Sequence, residues 1–282
     1  MIVAFIVVLV YITFTGSNFT GSIGEFPKYL EVLISLPPIL AGTFIARTVF
    51  DQRTVGSLGL TINRRMFFDL FIGLGIAALM LSLIFLIEWL AGWVEIKSMA
   101  WNTTQSSVWI LGLLGWLGYF IAIGFQEELI FRGYQLQNLI EGLDLPKGLL
   151  ISSLFFTIAH ALNPYASLLS TVGILFAGIF FAYAWMRTKQ LWLPIGLHIG
   201  WNFFEGVIFG FPVSGTDTFR LIQHTVSGPS FITGGEFGPE AGLVLLPALA
   251  LGTFLVWFST RSRAIEQVEP SLADALFGPH LK

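Results

Sequence analysis

Long apolar runs separated by short polar segments divide the chain into blocks. The runs lie at roughly residues 2–15, 29–50, 67–92, 107–140, 147–162, 167–187, 191–210 and 241–259. A helix needs ~20 mostly apolar residues to cross a bilayer. The runs are continuous and lack the period-2 alternation of a barrel strand. The pattern therefore predicts an all-α, polytopic integral membrane protein with about eight transmembrane helices. No internal repeat is visible. Residues 1–259 read as one transmembrane helical domain with its chemistry between about 107 and 210, and residues 260–282 as a soluble cytoplasmic tail with a short helix at 272–277. The first run is the shortest, but no basic residue precedes it and no A-x-A-like site follows, so it reads as a retained helix rather than a signal sequence. The polar stretch 51–65 should lie on the cytoplasmic surface, and the Gly-, Ser- and Thr-rich loop 211–240 should form an outer cap.

Composition strengthens the membrane reading. Of the 282 residues 55% are hydrophobic and 11% charged, against roughly 25% charged in soluble domains. The net charge of −3 comes with no basic stripe, which argues against nucleic acid as a partner. Cysteine is absent, so disulfides, thiolate nucleophiles and cysteine-based zinc sites are excluded. Basic residues set the orientation. With the N-terminus inside, Arg47, Arg53, Arg64, Arg65, Arg132, Lys147, Arg187, Lys189, Arg261, Arg263 and Lys282 fall at the cytoplasmic end, and only Lys28, Lys97 and Arg220 fall outside. Both termini are thus expected in the cytoplasm, with a prokaryotic plasma membrane as the location. Trp89, Trp93 and Trp101 near one face, and Trp185, Trp192 and Trp257 near the other, suit interfacial belts.

Ionisable groups at membrane depth cost at least ~2.5 kcal/mol each on insertion scales, so they mark function. The fourth run holds Gln126, Glu127, Glu128 and Arg132; the fifth ends in His160; the seventh holds His198, Asn202 and Glu205. His224 and His280 fall in a loop and in the tail. Glu128 and Arg132 are four apart, on one helical face, and should pair. Glu127 points about 100° around the helix and is left for chemistry. Helical rise puts Glu127 and His160 each ~20 Å from the cytoplasmic end, Asn202 ~16 Å and His198 ~10 Å. Blander readings exist for each residue. Glu127 could sit solvated at a helix end. His198 and Asn202, one turn apart, could bond helix to helix. His160, just before Asn163-Pro164, could cap a helix that stops there.

The combination carries a pattern. Glu127-Glu128-Leu-Ile-Phe-Arg132 resembles the EExxxR motif of the CPBP family, the CAAX-protease and bacteriocin-processing group. Phe156-Thr-Ile-Ala-His160 resembles its FxxxH motif, and His198-Ile-Gly-Trp-Asn202 its HxxxN motif. The resemblance covers about residues 110–205. It implies an intramembrane endopeptidase that cleaves a protein or peptide substrate, of the CAAX prenyl-protein type or related to it. It also implies Glu127 as general base, His160 orienting the attacking water, His198 and Asn202 stabilising the oxyanion, and Glu128 and Arg132 holding the fourth helix. A water-activating acid and a donor set for developing charge are what amide hydrolysis requires.

Metal dependence stays open at this stage. Glu127, His160 and His198 could ligate zinc, but HExxH is absent, and a glutamate-activated water without metal is the alternative. Three other functions compete. A transporter would also bury Glu, Arg and His, but would be expected to show a repeat. A catalytically silent binding or immunity protein would keep the fold. A lipid-diphosphate transferase would need an Asp-rich Mg²⁺ cluster, which is missing. The physiological substrate, the need for a prenyl group and the oligomeric state are not readable from the residues.

Overall fold

The computed structural model describes residues 28–103 and 105–277. The predicted first span at 2–15, together with His280 and Lys282, lies outside the described residues. The fold is 74% helix with one two-stranded sheet, so the all-α reading holds apart from that sheet. Helix α1, Lys28–Ile45, continues through a wider turn to Phe50. Helix α2 spans Arg64–Leu90 and strand β1 Val94–Met99. Helix α3, Ser106–Glu128, runs on through a widened stretch, Leu129–Leu136, to Gly142. Helices α4 (Leu145–His160) and α5 (Leu168–Thr188) follow. Helix α6, Trp192–Asn202, is prolonged by Phe203–Phe209. Strand β2, Ile222–Val226, and helix α7, Leu245–Phe277, complete the chain.

Every predicted run from the second to the eighth coincides with a helix. Four stretches are long and apolar enough to cross a membrane: Arg64–Leu90, Ser106–Gly142, Leu168–Thr188 and Leu245–Ser262. Ile34–Phe50 and Leu145–His160 are apolar but shorter. Local chemistry accounts for several ends. Asn63 starts α2 by accepting hydrogen bonds from the backbone N–H groups of Arg65 and Met66. Asp144 accepts one from the backbone N–H of Lys147 at the start of α4, and Ser167 and Ser170 close a reciprocal cap on α5. Helix α4 stops at His160 because Asn163 and Pro164 follow.

Helix α6 sits at the centre, with every side chain from Leu193 to Asn202 buried. It lies directly against α2 because glycines remove the intervening side chains. A Cβ at Gly73 would fall 2.5 Å from the Leu197 backbone nitrogen, and one at Gly196 would collide with the Leu70 carbonyl. This is close small-residue packing of the kind that joins helices in lipid. At the opposite edge of the sequence pattern, residues 51–65 are clamped by Arg47. Its buried guanidinium donates to Ser57 Oγ at 2.8 Å, to the Gln137 side chain at 3.1 Å and to Asp51 at 3.2 Å.

Three features depart from the sequence reading. β1 pairs antiparallel with β2, matching Ile96 with His224, so the 211–240 loop is partly sheet. The pairing joins segments more than a hundred residues apart, which local pattern does not reveal. Helix α7 continues from its spanning part to Phe277 instead of ending before a separate short helix. Trp89, Trp101 and Trp257 are about half exposed, but Trp185 is buried and packs within the core under Lys189 rather than in a belt.

The glycine contact gives a direct test. Gly196→Val should force α6 away from α2 and destabilise the protein by about 1–3 kcal/mol, as overpacking does. A fall in the unfolding temperature of the purified protein in detergent would register it.

Candidate active site

Glu127 and Glu128 close the regular part of α3, and both are buried. Their carboxylates separate into two environments, as consecutive residues on a helix must. Glu128 Oε1 accepts a hydrogen bond from Arg132 at 2.8 Å, the expected one-turn pair, with both side chains essentially inaccessible. The same oxygen lies 2.8 Å from His198 Nδ1. Arg132 is held further by its bond to the Gly178 carbonyl on α5 at 3.0 Å. Its guanidinium also lies 4.4 Å from the centre of the Phe156 ring, a cation–π contact. The His198 ring stacks on Phe181 at 4.9 Å and 12°. One acidic residue of α3, one base beside it and the aromatic faces of α4 and α5 thus fix an imidazole of α6.

His160 is fixed in a parallel way. Its Nδ1 lies 2.8 Å from the Phe156 carbonyl one turn back. A carbonyl only accepts, so Nδ1 carries the proton and Nε2 bears the lone pair. A carboxylate on Nδ1 imposes the same tautomer on neutral His198. Both Nε2 atoms then face Glu127. His160 Nε2 is 3.9 Å, and His198 Nε2 3.8 Å, from Glu127 Oε2. These distances are too long for direct hydrogen bonds and leave room for a small polar group bridging the three side chains.

Asn202 lines the same cavity of about 280 Å³, together with Glu127, His160 and His198. The structure therefore brings together the four residues singled out for chemistry, with Glu128 and Arg132 behind them. Helical rise alone placed His198 about two turns from the level of Glu127. Contact between their polar ends shows the correction that helix crossing and side-chain reach introduce.

The order of these motifs along the chain is matched outside it. Residues 108–204 match the family model for type II CAAX prenyl endopeptidases, Rce1-like. This segment is similar to Rce1-like domains. It starts within α3, ends just beyond Asn202, and includes all six singled-out residues. No match was found among curated proteins or among solved structures.

Beyond the matched segment, the cavity acquires a wall that the sequence pattern did not single out. Glu240, from the loop before α7, lines it and is buried. Glu240 Oε2 accepts the Ser214 backbone N–H at 2.7 Å and its hydroxyl at 2.5 Å, and Oε1 accepts the Trp201 indole N–H at 3.1 Å. Burial raises the Glu240 carboxyl above the ordinary range, and the Ser214 donors oppose that shift. Glu240 lies in an irregular loop rich in glycine, where no periodicity points to a buried position.

Glu127, His160 and His198 do not have the spacing of a metal centre. Tetrahedral zinc with nitrogen and oxygen ligands at ~2.0–2.1 Å holds its ligand atoms ~3.3 Å apart, tighter than the two gaps to Glu127. No group of three His, Asp or Glu side chains among the described residues has metal-holding geometry. The free Nε2 atoms suit a metal in kind, but their placement does not, and no step below depends on one.

The buried pair makes a prediction about stability. Arg132→Ala would leave Glu128 without its cation and should cost about 3–5 kcal/mol, the usual penalty for breaking a buried ion pair from one side. Thermal unfolding in detergent should show a large drop, whereas Lys147→Ala, which removes an exposed partner of Asp144, should change little.

Proposed function

We propose that the chain is an intramembrane endopeptidase that hydrolyses a peptide bond close to the membrane, in a CAAX-type prenyl protein or a related substrate. The single observation that carries this reading is the convergence of His160 Nε2 and His198 Nε2 on the Glu127 carboxylate within the segment that matches the Rce1-like family model.

A water lying between Glu127 and the two imidazoles can give its proton to the carboxylate as its oxygen attacks the scissile carbonyl. The lone pair on His160 Nε2 accepts the second water hydrogen and aims the oxygen. Asn202 supplies an amide N–H to the developing oxyanion. His198, held through Nδ1 by the Glu128 carboxylate, stands beside Asn202 on the oxyanion side. Glu127 then returns its proton to the leaving amine, which completes hydrolysis. Glu128 and Arg132 act through His198 and hold its ring.

The surrounding expectations follow the same reading. The protein sits in a prokaryotic plasma membrane with about eight crossings and both termini in the cytoplasm. Its partners are a protein or peptide substrate and membrane lipid.

Glu127→Ala and His160→Ala should each lower kcat/KM by about 100- to 10,000-fold, the span typical of general acid–base groups, while both variants remain folded. Cleavage of prenylated and unprenylated peptides by wild type and variants measures this, and full activity in either variant rejects the assignment. Wild-type activity should also survive exhaustive chelation; its loss, restored by added zinc, would require a metal step instead.

A further inference from the structure

Gln126 stands one residue before the proposed base and has no role in the chemistry above. It is fully buried, yet neither its amide nitrogen nor its amide oxygen has a hydrogen-bond partner among the described residues. It also lines the cavity that holds Glu127, His160, His198 and Asn202. Of its cavity neighbours on the same helix, Phe120 and Ile123 offer nothing polar from their side chains, and the Tyr119 hydroxyl makes no hydrogen bond to it. A buried amide in that state destabilises the helix that carries it, so its presence calls for an incoming partner.

The chemistry of that partner can be narrowed. A primary amide presents an acceptor and donors side by side in one plane. A prenyl or acyl chain satisfies neither. A carboxylate or a lipid phosphate only accepts and would leave Oε1 unsatisfied. The cavity lining contains no Lys or Arg to hold such an anion, while Glu127 and Glu240 both face it. In an extended chain the N–H and C=O of one residue, which belong to the two peptide groups flanking its Cα, point the same way and can satisfy both sides of the amide.

We propose that Gln126 is a substrate-binding residue that exchanges two hydrogen bonds with the main-chain N–H and C=O of one extended substrate residue adjacent to the scissile bond. This rests on the endopeptidase reading and deepens it. Recognition through the backbone selects an extended segment and is indifferent to side-chain identity at that position.

The test uses the full-length protein in detergent and a farnesylated fluorogenic peptide ending in a CAAX box. Variants of the peptide replace single amides around the cleaved bond by esters. Gln126→Leu should lower kcat/KM by about 10- to 100-fold without lowering the unfolding temperature, since it removes an unsatisfied buried group. Gln126→Met serves the same purpose if the branched side chain prevents folding. One ester peptide should lose a similar factor on wild type and nothing further on the Gln126 variant. Binding of the parent peptide to Glu127→Ala, read by fluorescence anisotropy, should weaken by the same order when Gln126→Leu is added. Unchanged kcat/KM or unchanged binding in the Gln126 variants overturns the inference, as does a fall in unfolding temperature with catalysis intact. Cleavage by Glu127→Ala itself would instead defeat the endopeptidase reading, so the two failures are distinguishable.

Discussion

The Glu128 carboxylate is the point on which the site depends. One of its oxygens serves Arg132 and His198 together, and Arg132 reaches on to the Gly178 carbonyl. Three helices are thereby joined through one charge. In water such an arrangement would be worth little. Here all three side chains are almost completely inaccessible, so each group is costly unless the others are in place. The network fixes the tautomer of His198, and the Phe156 carbonyl fixes that of His160. Both rings thus reach Glu127 with the same nitrogen, each held by a partner on its far side. What looks like two independent histidines in the sequence is one pre-arranged pair.

Much of this was legible before any coordinates. Apolar run lengths located the helices from α1 to α6, and the start of α7, within a few residues, because the demand for continuous apolar surface leaves little freedom. The four-residue spacing of Glu128 and Arg132 specified their ion pair, a purely local contact. The separate orientation of Glu127 followed from helical rotation. What was not legible came from contacts distant along the chain. The Glu128–His198 bond joins residues 70 positions apart, and neither motif alone implies it. The strand pair, the burial of Trp185 and the entry of Glu240 into the cavity are of the same kind. Depth counted along straight helices misplaced His198, since counting residues carries no information on how α6 crosses α3.

Division of labour along the chain is uneven. The matched segment supplies Glu127, His160, His198 and Asn202 and most of the cavity wall, and its neighbours complete the enclosure. Val32 and Ser35 from α1, Glu240 from the preceding loop, and Leu245 and Leu249 from α7 all line the cavity. These elements lie outside the matched segment. The cavity is therefore closed on part of its surface by elements that the matched segment does not include.

The ion pair between Glu128 and Arg132 has a consequence for biogenesis. Its two members belong to a single helix and meet within one turn, so neutralisation does not wait for α5 or α6 to be synthesised. The fourth hydrophobic run thus carries Glu128 and Arg132 already matched, while Glu127 beside them meets its histidines only when α4 and α6 dock. Had the cation been supplied from another span, a bare carboxylate would have faced lipid until that span emerged from the ribosome.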